Sequence, residues 1–519
     1  MDKLQSSGKE IMGHPIGLFV LFFTEMWERF SYYGMRAILT LYMVSETTSD
    51  NPGLGWDNSE ALALYGWYTM LVYVASIPGG IIADKILGQK NSVLLGGWLL
   101  VAGHGVLSIE QDVAFYSGLL LIILGVGLLK PNVSTMVGGL YSKGDERRDK
   151  GFSIFYIGIN VGAALSALTV GFLAQAYGWH AGFGLAAIGM VVGQLVYIYG
   201  MRYLKDVGNK PIKSITDPDS ITLKEIFARM FKTKASLVAL ILLSAVSVAI
   251  PLLLMNEQVI AYLIFFLFLS FVVSFMMTIF ADLKTRIEKD RFIVLLLSFL
   301  IVIVFWGAFE QAGGLMNIYA EQKANRLVWG YEIPAAVMQF FNPFYIITLG
   351  IPVAAFWIWM KKKGKEATSI FKMGIGVIIM GLGFVFMIFA SLQYEEYGQS
   401  ALVWLILAYL LHTIGELCAS PVALSFITKL APIRYGALMM GVYFAATGLG
   451  NKVAGIIGES AESAGDLTVF TTITVFCVAF GILVILLLKP LKRLTHGAED
   501  KKVEGMEQEG FELADSEVE

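Results

Sequence analysis

The sequence contains few cysteines, few charged residues and none of the motifs of phosphate or metal chemistry. Its two cysteines, Cys418 and Cys477, lie in apolar runs without metal or redox spacing. No Walker sequence, nucleophile elbow or HExxH motif is present, so an ATP-driven pump and a membrane protease have little support. The net charge of -3 comes largely from the acidic tail after His496, which suggests no nucleic-acid partner. No cofactor or metal is predicted.

Low charge is matched by high hydrophobicity. Charged residues make up 15% of the chain and hydrophobic residues 56%, whereas about 25% charged is ordinary for soluble domains. The N-terminus lacks a short apolar region followed by a small-residue cleavage site, so we interpret its first apolar run as a retained span. These features predict an all-α integral membrane protein that inserts in the lipid bilayer.

Apolar segments recur along the chain, each long enough for the roughly 20 residues that a membrane span requires. They predict fourteen transmembrane helices, at residues 16–44, 60–83, 91–109, 113–140, 152–177, 181–201, 236–255, 258–281, 291–319, 334–359, 368–392, 400–428, 435–458 and 467–488.

Basic residues cluster in the loops that follow even-numbered spans. Examples are Arg147 and Arg148 after the fourth span and residues 361–365 after the tenth, whereas odd-numbered loops carry only Lys323 and Arg326. The positive-inside rule therefore predicts that both termini are cytoplasmic. The alternation also supports the number of spans, because a missing span would place basic loops on both sides.

The first predicted span carries charges in its middle. At about 100° per residue, its polar residues share one broad face: Glu25, Glu28, Arg29, Tyr32, Tyr33 and Arg36. Ionisable residues in mid-membrane usually mark a substrate or ion pathway. The alternative is a snorkelling pair at a helix end, which the apolar residues on both sides of the arginines disfavour.

Three further ionisable residues lie in apolar surroundings: Lys130, Glu310 and Glu416. At about 2.5 to 3.5 kcal/mol per charge, seven unpaired charges would cost on the order of 20 kcal/mol, more than the roughly 5 to 15 kcal/mol by which proteins are stable. Pairing three cations with four carboxylates leaves one carboxylate, which would take up a proton. This predicts a proton-driven transporter, with a static network and one permanently protonated glutamate as the alternative.

Several sequence motifs surround these residues. They are ExxER at Glu25, Glu28 and Arg29, PGGIIADKILG at 78–88, KPN at 130–132, FYIGIN at 155–160, FWGAFEQ at 305–311, FFNP at 340–343, GELCASPVALS at 415–425 and LAPIRYGALMMGVYF at 430–444. With these motifs the chain resembles the proton-dependent oligopeptide transporter family of the major facilitator superfamily, across nearly all of its length.

The resemblance implies the major facilitator fold, with two six-helix bundles and two inserted helices as in the bacterial branch, and hence a bacterial inner membrane location. The implied domains are a first bundle (1–202), a cytoplasmic linker (203–235), the inserted helices and their connection (236–290), a second bundle (291–490) and an acidic tail (491–519) expected to be disordered.

The resemblance also implies a function: import of di- and tripeptides with protons by alternating access. It places Arg36 and Lys130 near the peptide carboxylate, and Glu416 and Asn342 near the amine. The rest of the implied pocket is Tyr32, Tyr33, Tyr68, Tyr156, Asn160, Trp306, Ser420 and Tyr443. Proton coupling is implied for Glu25, Glu28, Arg29 and Glu310, and gate ion pairs for Arg36 with Glu310 and Lys130 with Glu416.

One residue departs from the family pattern: Tyr443 stands where the family usually has Trp, which affects the expected pocket volume and side-chain preference. Two other functions are considered. A carrier of anions such as nitrate on the same scaffold is disfavoured by Glu416, an anion in the pocket. A receptor or channel is disfavoured because the charges are distributed over several helices, which suits a closed central cavity better than a continuous pore.

Overall fold

A computed structural model describes residues 10–142, 145, 147–205, 207–209, 223–254, 259–432 and 435–499. Several of the residues on which predictions rest lie outside this part: Lys143, Lys210, Lys213 and Arg434 of the basic loops, much of the predicted linker, and the tail from residue 500.

Among the residues that the structure describes, seven α-helices lie before the predicted linker, with a π-helical turn (Ala83–Leu87) after the third and a 3-10 turn (Met201–Tyr203) after the seventh. They are α1 (Ile16–Val44), α2 (Asn58–Val74), α3 (Ser76–Ile82), α4 (Gln89–Leu107), α5 (Asp112–Gly139), α6 (Arg147–Tyr177) and α7 (Trp179–Gly200). We call α1–α7 the first half.

The remaining helices include a short one, α8, within the predicted linker. They are α8 (Leu223–Lys232), α9 (Lys234–Leu254), α10 (Val259–Asp282), α11 (Arg286–Phe309), α12 (Leu315–Lys323), α13 (Phe341–Lys362), α14 (Ser369–Tyr397), α15 (Leu402–Leu430), α16 (Gly436–Glu459), α17 (Ala461–Ala464), α18 (Asp466–Leu486) and α19 (Leu488–Leu494). The 3-10 turns Glu310–Ala312 and Ala335–Phe340 precede α12 and α13. We call α11–α18 the second half.

Within the described ranges, the strands form three pairs, each of two-residue strands. β1 (Glu10–Ile11) and β2 (His14–Pro15) are antiparallel, β3 (Ala324–Asn325) pairs in parallel with β6 (Ser400–Ala401), and β4 (Leu327–Val328) is antiparallel to β5 (Tyr331–Glu332). Arg147 at the start of α6 donates to Glu10 and to the carbonyl of Gly13, so it holds the first hairpin. Hydrogen bonds from Arg147 also keep the pKa of Asp145 below its ordinary value.

The chain divides into two compact units. The larger contains Met1–Ile212, Phe299–Ser425 and Gly441–Leu488, and the smaller contains Lys213–Ser298, Phe426–Met440 and Lys489–Glu519. In the smaller unit, α9 and α10 are joined by the Ser274 hydroxyl, which donates to the Ser236 carbonyl at 2.7 Å. Asp282 there accepts from Arg229 at 2.5 Å and from Tyr435 at 2.6 Å.

The predicted all-α membrane protein is confirmed. Each of the fourteen predicted segments contains a long helix, and ten helices of the described part are apolar and long enough to cross a membrane. Helix α1 coincides with its predicted range, 16–44. The number of spans stays a prediction.

A proline determines the local structure beside Lys130. Pro131 lies inside α5 and has no N–H to donate to the carbonyl of Gly127, four residues earlier. Gly79 of α3 packs against that carbonyl, because a Cβ on Gly79 would lie 1.9 Å from the Gly127 oxygen. Only glycine, which has no Cβ, allows the α3 backbone to come this close to the Gly127 carbonyl of α5.

Candidate functional site

A cavity of about 360 Å³ lies inside the larger unit, with walls from both halves. Its lining is mainly aromatic and aliphatic. The lining side chains that carry a polar atom are Tyr33, Arg36, Tyr73, Tyr156, Asn160, Trp306, Glu310, Gln339, Asn342, Tyr409, Glu416, Ser420 and Tyr443. Sites for small molecules commonly have volumes of about 300 to 1,000 Å³ and such a mixture of residues. The cavity is therefore a candidate binding site.

Arg36 joins the two halves at one wall of the cavity. Its Nη1 donates to both carboxylate oxygens of Glu310 at 3.1 Å, although the two residues are 274 positions apart. Tyr65 of α2 donates to the same carboxylate at 3.1 Å. The guanidinium also lies 4.8 Å from the centre of the Tyr33 ring. Glu310 is thus held between two groups of the first half.

Glu416 forms a second polar group on the cavity wall. Asn342 of α13 donates from Nδ2 to Glu416 Oε2 at 2.8 Å and to the Thr413 hydroxyl at 3.1 Å. The partner of Glu416 is thus a neutral amide. The ion pair that the sequence predicts with Lys130 is not formed in this structure, and stays a prediction.

Glu25, Glu28 and Arg29 form a cluster within α1, behind the cavity. Arg29 Nε lies 2.9 Å from Glu25 Oε1 and 2.6 Å from Glu28 Oε2, and all three side chains are buried. Glu25 lies three residues before Glu28 and four before Arg29, spacings that place side chains on one helical face, and Glu28 is adjacent to Arg29. The ExxER sequence therefore assembles this cluster locally. One guanidinium is shared by two carboxylates.

Lys130 lies beside this cluster. Its ammonium is 3.7 Å from the centre of the Tyr73 ring. Among the nearby charges, Arg29 repels it, and Glu28 and Glu25 attract it. Arg29 and Lys130 together balance the two carboxylates of α1, and Arg36 balances Glu310. Among the fully buried glutamates of the described residues, Glu416 is the one without an ion pair. It is our candidate for the excess carboxylate counted in the sequence.

Comparison with known proteins gives the family. The POT family model matches residues 90–470. The chain belongs to the POT family. It is 38% identical to an uncharacterised transporter of Bacillus subtilis (strain 168), with 94% of this chain and 96% of that protein aligned. It is 35% identical to a di-/tripeptide transporter of Lactococcus lactis subsp. cremoris, over 95% of this chain and 99% of that protein.

The crystal structure of the peptide transporter POT in complex with sulfate has the same fold. Its TM-score is 0.81 at 35% identity, and the alignment covers 94% of this chain and 97% of that one. The predicted major facilitator fold is therefore confirmed for this POT family chain, as is its assignment to a transporter family.

Ten of the sixteen predicted site residues of the POT family chain line the cavity, nine from the predicted pocket and Glu310 from the predicted proton-coupling group: Tyr33, Arg36, Tyr156, Asn160, Trp306, Glu310, Asn342, Glu416, Ser420 and Tyr443. The other six are not among the lining residues: Tyr32, Tyr68 and Lys130 of the predicted pocket, and Glu25, Glu28 and Arg29 of the predicted proton-coupling group. Tyr32 packs edge-on against Tyr33, with ring centres 5.5 Å apart.

Sequence reasoning missed several residues. Tyr73, Gln339 and Tyr409 line the cavity, and Tyr65 bonds to Glu310, but no local signal separates them from other aromatic and polar residues in spans. Lys452 was also missed, although the sequence contains a clear signal for it: it is a lone cation in an apolar helix. Its ion pair with Glu459 adds one charge of each sign, so the excess carboxylate remains.

Contacts between the halves close one end of the cavity. We call it the outer end, because the positive-inside rule predicts that it faces away from the cytoplasm. The hydrogen bonds there join the following pairs: Thr40 with Gly313, Asn317 with Ala37, Asn58 with Gln322, Ser59 with Glu462, Gln175 with Glu332 and Thr69 with Asn451. They add to the Arg36–Glu310 pair.

Proposed function

We propose that this protein is a proton-coupled symporter that imports di- and tripeptides by alternating access. Membership of the POT family and similarity to a di-/tripeptide transporter support this proposal. The observation that carries it is a cavity wall with a cation, Arg36, and a carboxylate without a cationic partner, Glu416. A zwitterionic peptide requires both signs of charge, whereas a purely anionic substrate has no use for Glu416.

Binding follows from this charge pattern. The peptide amine neutralises Glu416 in place of a proton and takes the position opposite the Asn342 amide. The peptide carboxylate competes with Glu310 for Arg36, or draws Lys130 from the Tyr73 ring. Because every peptide has the same two termini, recognition of the termini permits many side chains against an aromatic wall.

Coupling follows from competition for cations. Protonation of a carboxylate or binding of a peptide weakens an ion pair, and the Arg36–Glu310 pair helps hold the outer end closed. Ligands shift such an equilibrium only through unequal affinity for the two states. In α1, protonation of Glu28 or Glu25 leaves Arg29 with a single anionic partner, so proton binding there changes the charge balance around Lys130.

The cellular setting is also part of the proposal. We place the protein in the bacterial inner membrane because the transporters to which it is similar are bacterial. The basic loops support the orientation with both termini in the cytoplasm. The proton is its coupling ion, and no other cofactor is required. The predicted domain limits, with inserted helices at 236–290 and a tail from 491, belong to this proposal as well.

The test is uptake of labelled dialanine into proteoliposomes, with and without an inward proton gradient, by wild type and Glu416→Gln. We expect accumulation above equilibrium by the wild type with a gradient and none by the variant, because a glutamine neither binds a proton nor pairs with the amine. N-acetyl-dialanine, which lacks the amine, is expected to compete poorly with dialanine in the wild type.

The control variant is Glu395→Gln, which neutralises an exposed carboxylate of α14 and should leave accumulation unchanged. Failure of folded wild-type protein to take up dialanine under a gradient would contradict the peptide assignment. Gradient-driven accumulation by Glu416→Gln would contradict the role of Glu416.

A further inference from the structure

Helix α16 carries a buried cation that does not line the cavity. The Lys452 side chain is 2% exposed, and its ammonium lies 3.2 Å from Glu459 Oε1 and 5.1 Å from the centre of the Trp67 ring. Lys452 and Glu459 are seven positions apart, so at about 100° per residue they share a helical face. The ion pair belongs to the second half, whereas Trp67 belongs to α2 of the first half.

Lys452 is buried where α2 and α16 approach most closely. A Cβ on Gly66 would lie 2.9 Å from Gly455 Cα, and a Cβ on Gly455 would lie 2.8 Å from Gly66 Cα. One turn away, the Asn451 amide donates to the Thr69 carbonyl at 3.4 Å. This contact is part of the closed outer end, so separation of α2 from α16 would remove Trp67 from the ammonium and admit water.

Burial of an ammonium is unfavourable unless the charge is compensated. In the closed state Glu459 supplies the opposite charge and Trp67 supplies a ring face, which attracts cations. In an open state water would solvate Lys452, and the ammonium would need neither partner. The Lys452–Glu459 ion pair therefore stabilises the protein more when the outer end is closed than when it is open.

We propose that Lys452 and Glu459 set the equilibrium between the open and closed outer end: Glu459 compensates a cation that is buried only while α2 covers it. Both are positioning residues, since neither lines the cavity. The proposal rests on the alternating access proposed above, but it concerns the conformational equilibrium and not the substrate.

The experiment measures this equilibrium directly, by electron–electron double resonance between spin labels at Glu60→Cys and Ser463→Cys in lipid nanodiscs. Both positions are exposed, and the native Cys418 and Cys477 are buried. Glu459→Gln leaves Lys452 uncompensated, so we expect the ratio of long to short distances to rise by about tenfold or more. Lys452→Met combined with Glu459→Gln removes both charges and should return the ratio to the wild-type value or below.

The matched control is the Lys323–Asp466 ion pair, which lies at the same end but wholly within the second half. Its cation also faces aromatic rings, those of Tyr319 and Tyr394, at 5.8 and 5.1 Å. Because the first half contributes no part of this pair, Asp466→Asn should leave the distances unchanged.

Three results would overturn the proposal: an unchanged ratio in Glu459→Gln, an equal rise in Asp466→Asn, or no return toward the wild-type ratio in the double variant. The double variant keeps the test decisive if Glu459→Gln does not fold. The distances are measured without peptide or proton gradient. Failure of this proposal is therefore distinguishable from failure of the proposed peptide transport.

Discussion

Arg29 shows how much of the site's chemistry arises between neighbouring residues. Two carboxylates of the same helix reach one Nε atom: Glu25 lies four residues before Arg29, and Glu28 is its direct neighbour in the sequence. Because all three side chains belong to one helix, we expect the cluster to form wherever α1 forms, in any state of the transporter.

We predict that Glu28→Gln uncouples transport from protons. The amide cannot release or bind a proton, but it keeps the shape of the side chain, and Glu28 does not line the cavity. Exchange of external for internal peptide should continue at a rate near that of the wild type, whereas gradient-driven accumulation should disappear. Counterflow and accumulation assays in the same proteoliposomes measure the two processes.

Glu46→Gln is the control for that variant, because Glu46 follows α1 and is exposed; it should support both processes. Full accumulation by Glu28→Gln would show that Glu28 is not needed for coupling.

Tyr443 determines how much room the cavity offers to substrate side chains. It lines the cavity together with Trp306 and Ser420, at the position where the resemblance implied Trp. We predict that Tyr443→Trp selectively raises the KM for peptides with bulky side chains, because the larger ring occupies their space. The ratio of KM for diphenylalanine to that for dialanine should rise, by on the order of tenfold.

Tyr443→Phe keeps the ring volume and serves as the control, so its KM ratio should stay close to that of the wild type. An equal rise in KM for both peptides in Tyr443→Trp would indicate general damage to the site and not a change in side-chain preference.

At the scale of helices, glycine permits the closest contacts. Gly79 meets the carbonyl of Gly127 that Pro131 leaves without a helical partner, while a Cβ on the adjacent Gly80 would have no neighbour within 4 Å. Both residues are glycines of the same helix, but only Gly79 lies where a side chain would collide with a neighbouring helix.

We predict that Gly79→Ala lowers the thermal unfolding temperature in detergent, because the methyl group would force α3 away from α5. Gly80→Ala is the matched control and should be neutral or slightly stabilising, since alanine favours helix over glycine by about 1 kcal/mol. Equal unfolding temperatures for the two variants would contradict the contact.

At the scale of the whole protein, the outer end is closed by helix contact as well as by ion pairs. Gly66 on α2 and Gly455 on α16 bring the two backbones together. The Arg36–Glu310 pair gives this closed arrangement an electrostatic component.

We predict that Gly66→Leu prevents closure of the outer end, because the side chain would occupy the space of α16. Peptide uptake should be lost, while peptide binding from outside should remain. Binding is measured by the protection that peptide gives, against labelling, to a cysteine introduced at the outer end of the cavity. Gly350→Leu adds the same side chain to α13 where no neighbour lies within 4 Å, and should transport normally. Uptake by Gly66→Leu near the wild-type rate would refute the contact's role in closure.

The sequence by itself determined the class of protein, the helix positions and most polar residues of the cavity. Hydropathy and charge are properties of a single segment, and a charge in an apolar span is visible without a structure. A search for charged residues in apolar spans identifies Glu25, Arg36, Lys130, Glu310 and Glu416. The same search in α16 identifies Lys452.

Only the tertiary structure decided which of these charges meet. Arg36 and Glu310 are 274 positions apart, and their pairing depends on how two bundles pack, as does the choice of Asn342 as the partner of Glu416. Tyr73 and Gln339 reach the cavity through helix rotation and turn geometry, which no local pattern specifies. Because an unpaired buried charge is unfavourable, the charged side chains need partners. The packing of the helices determines which partners they have.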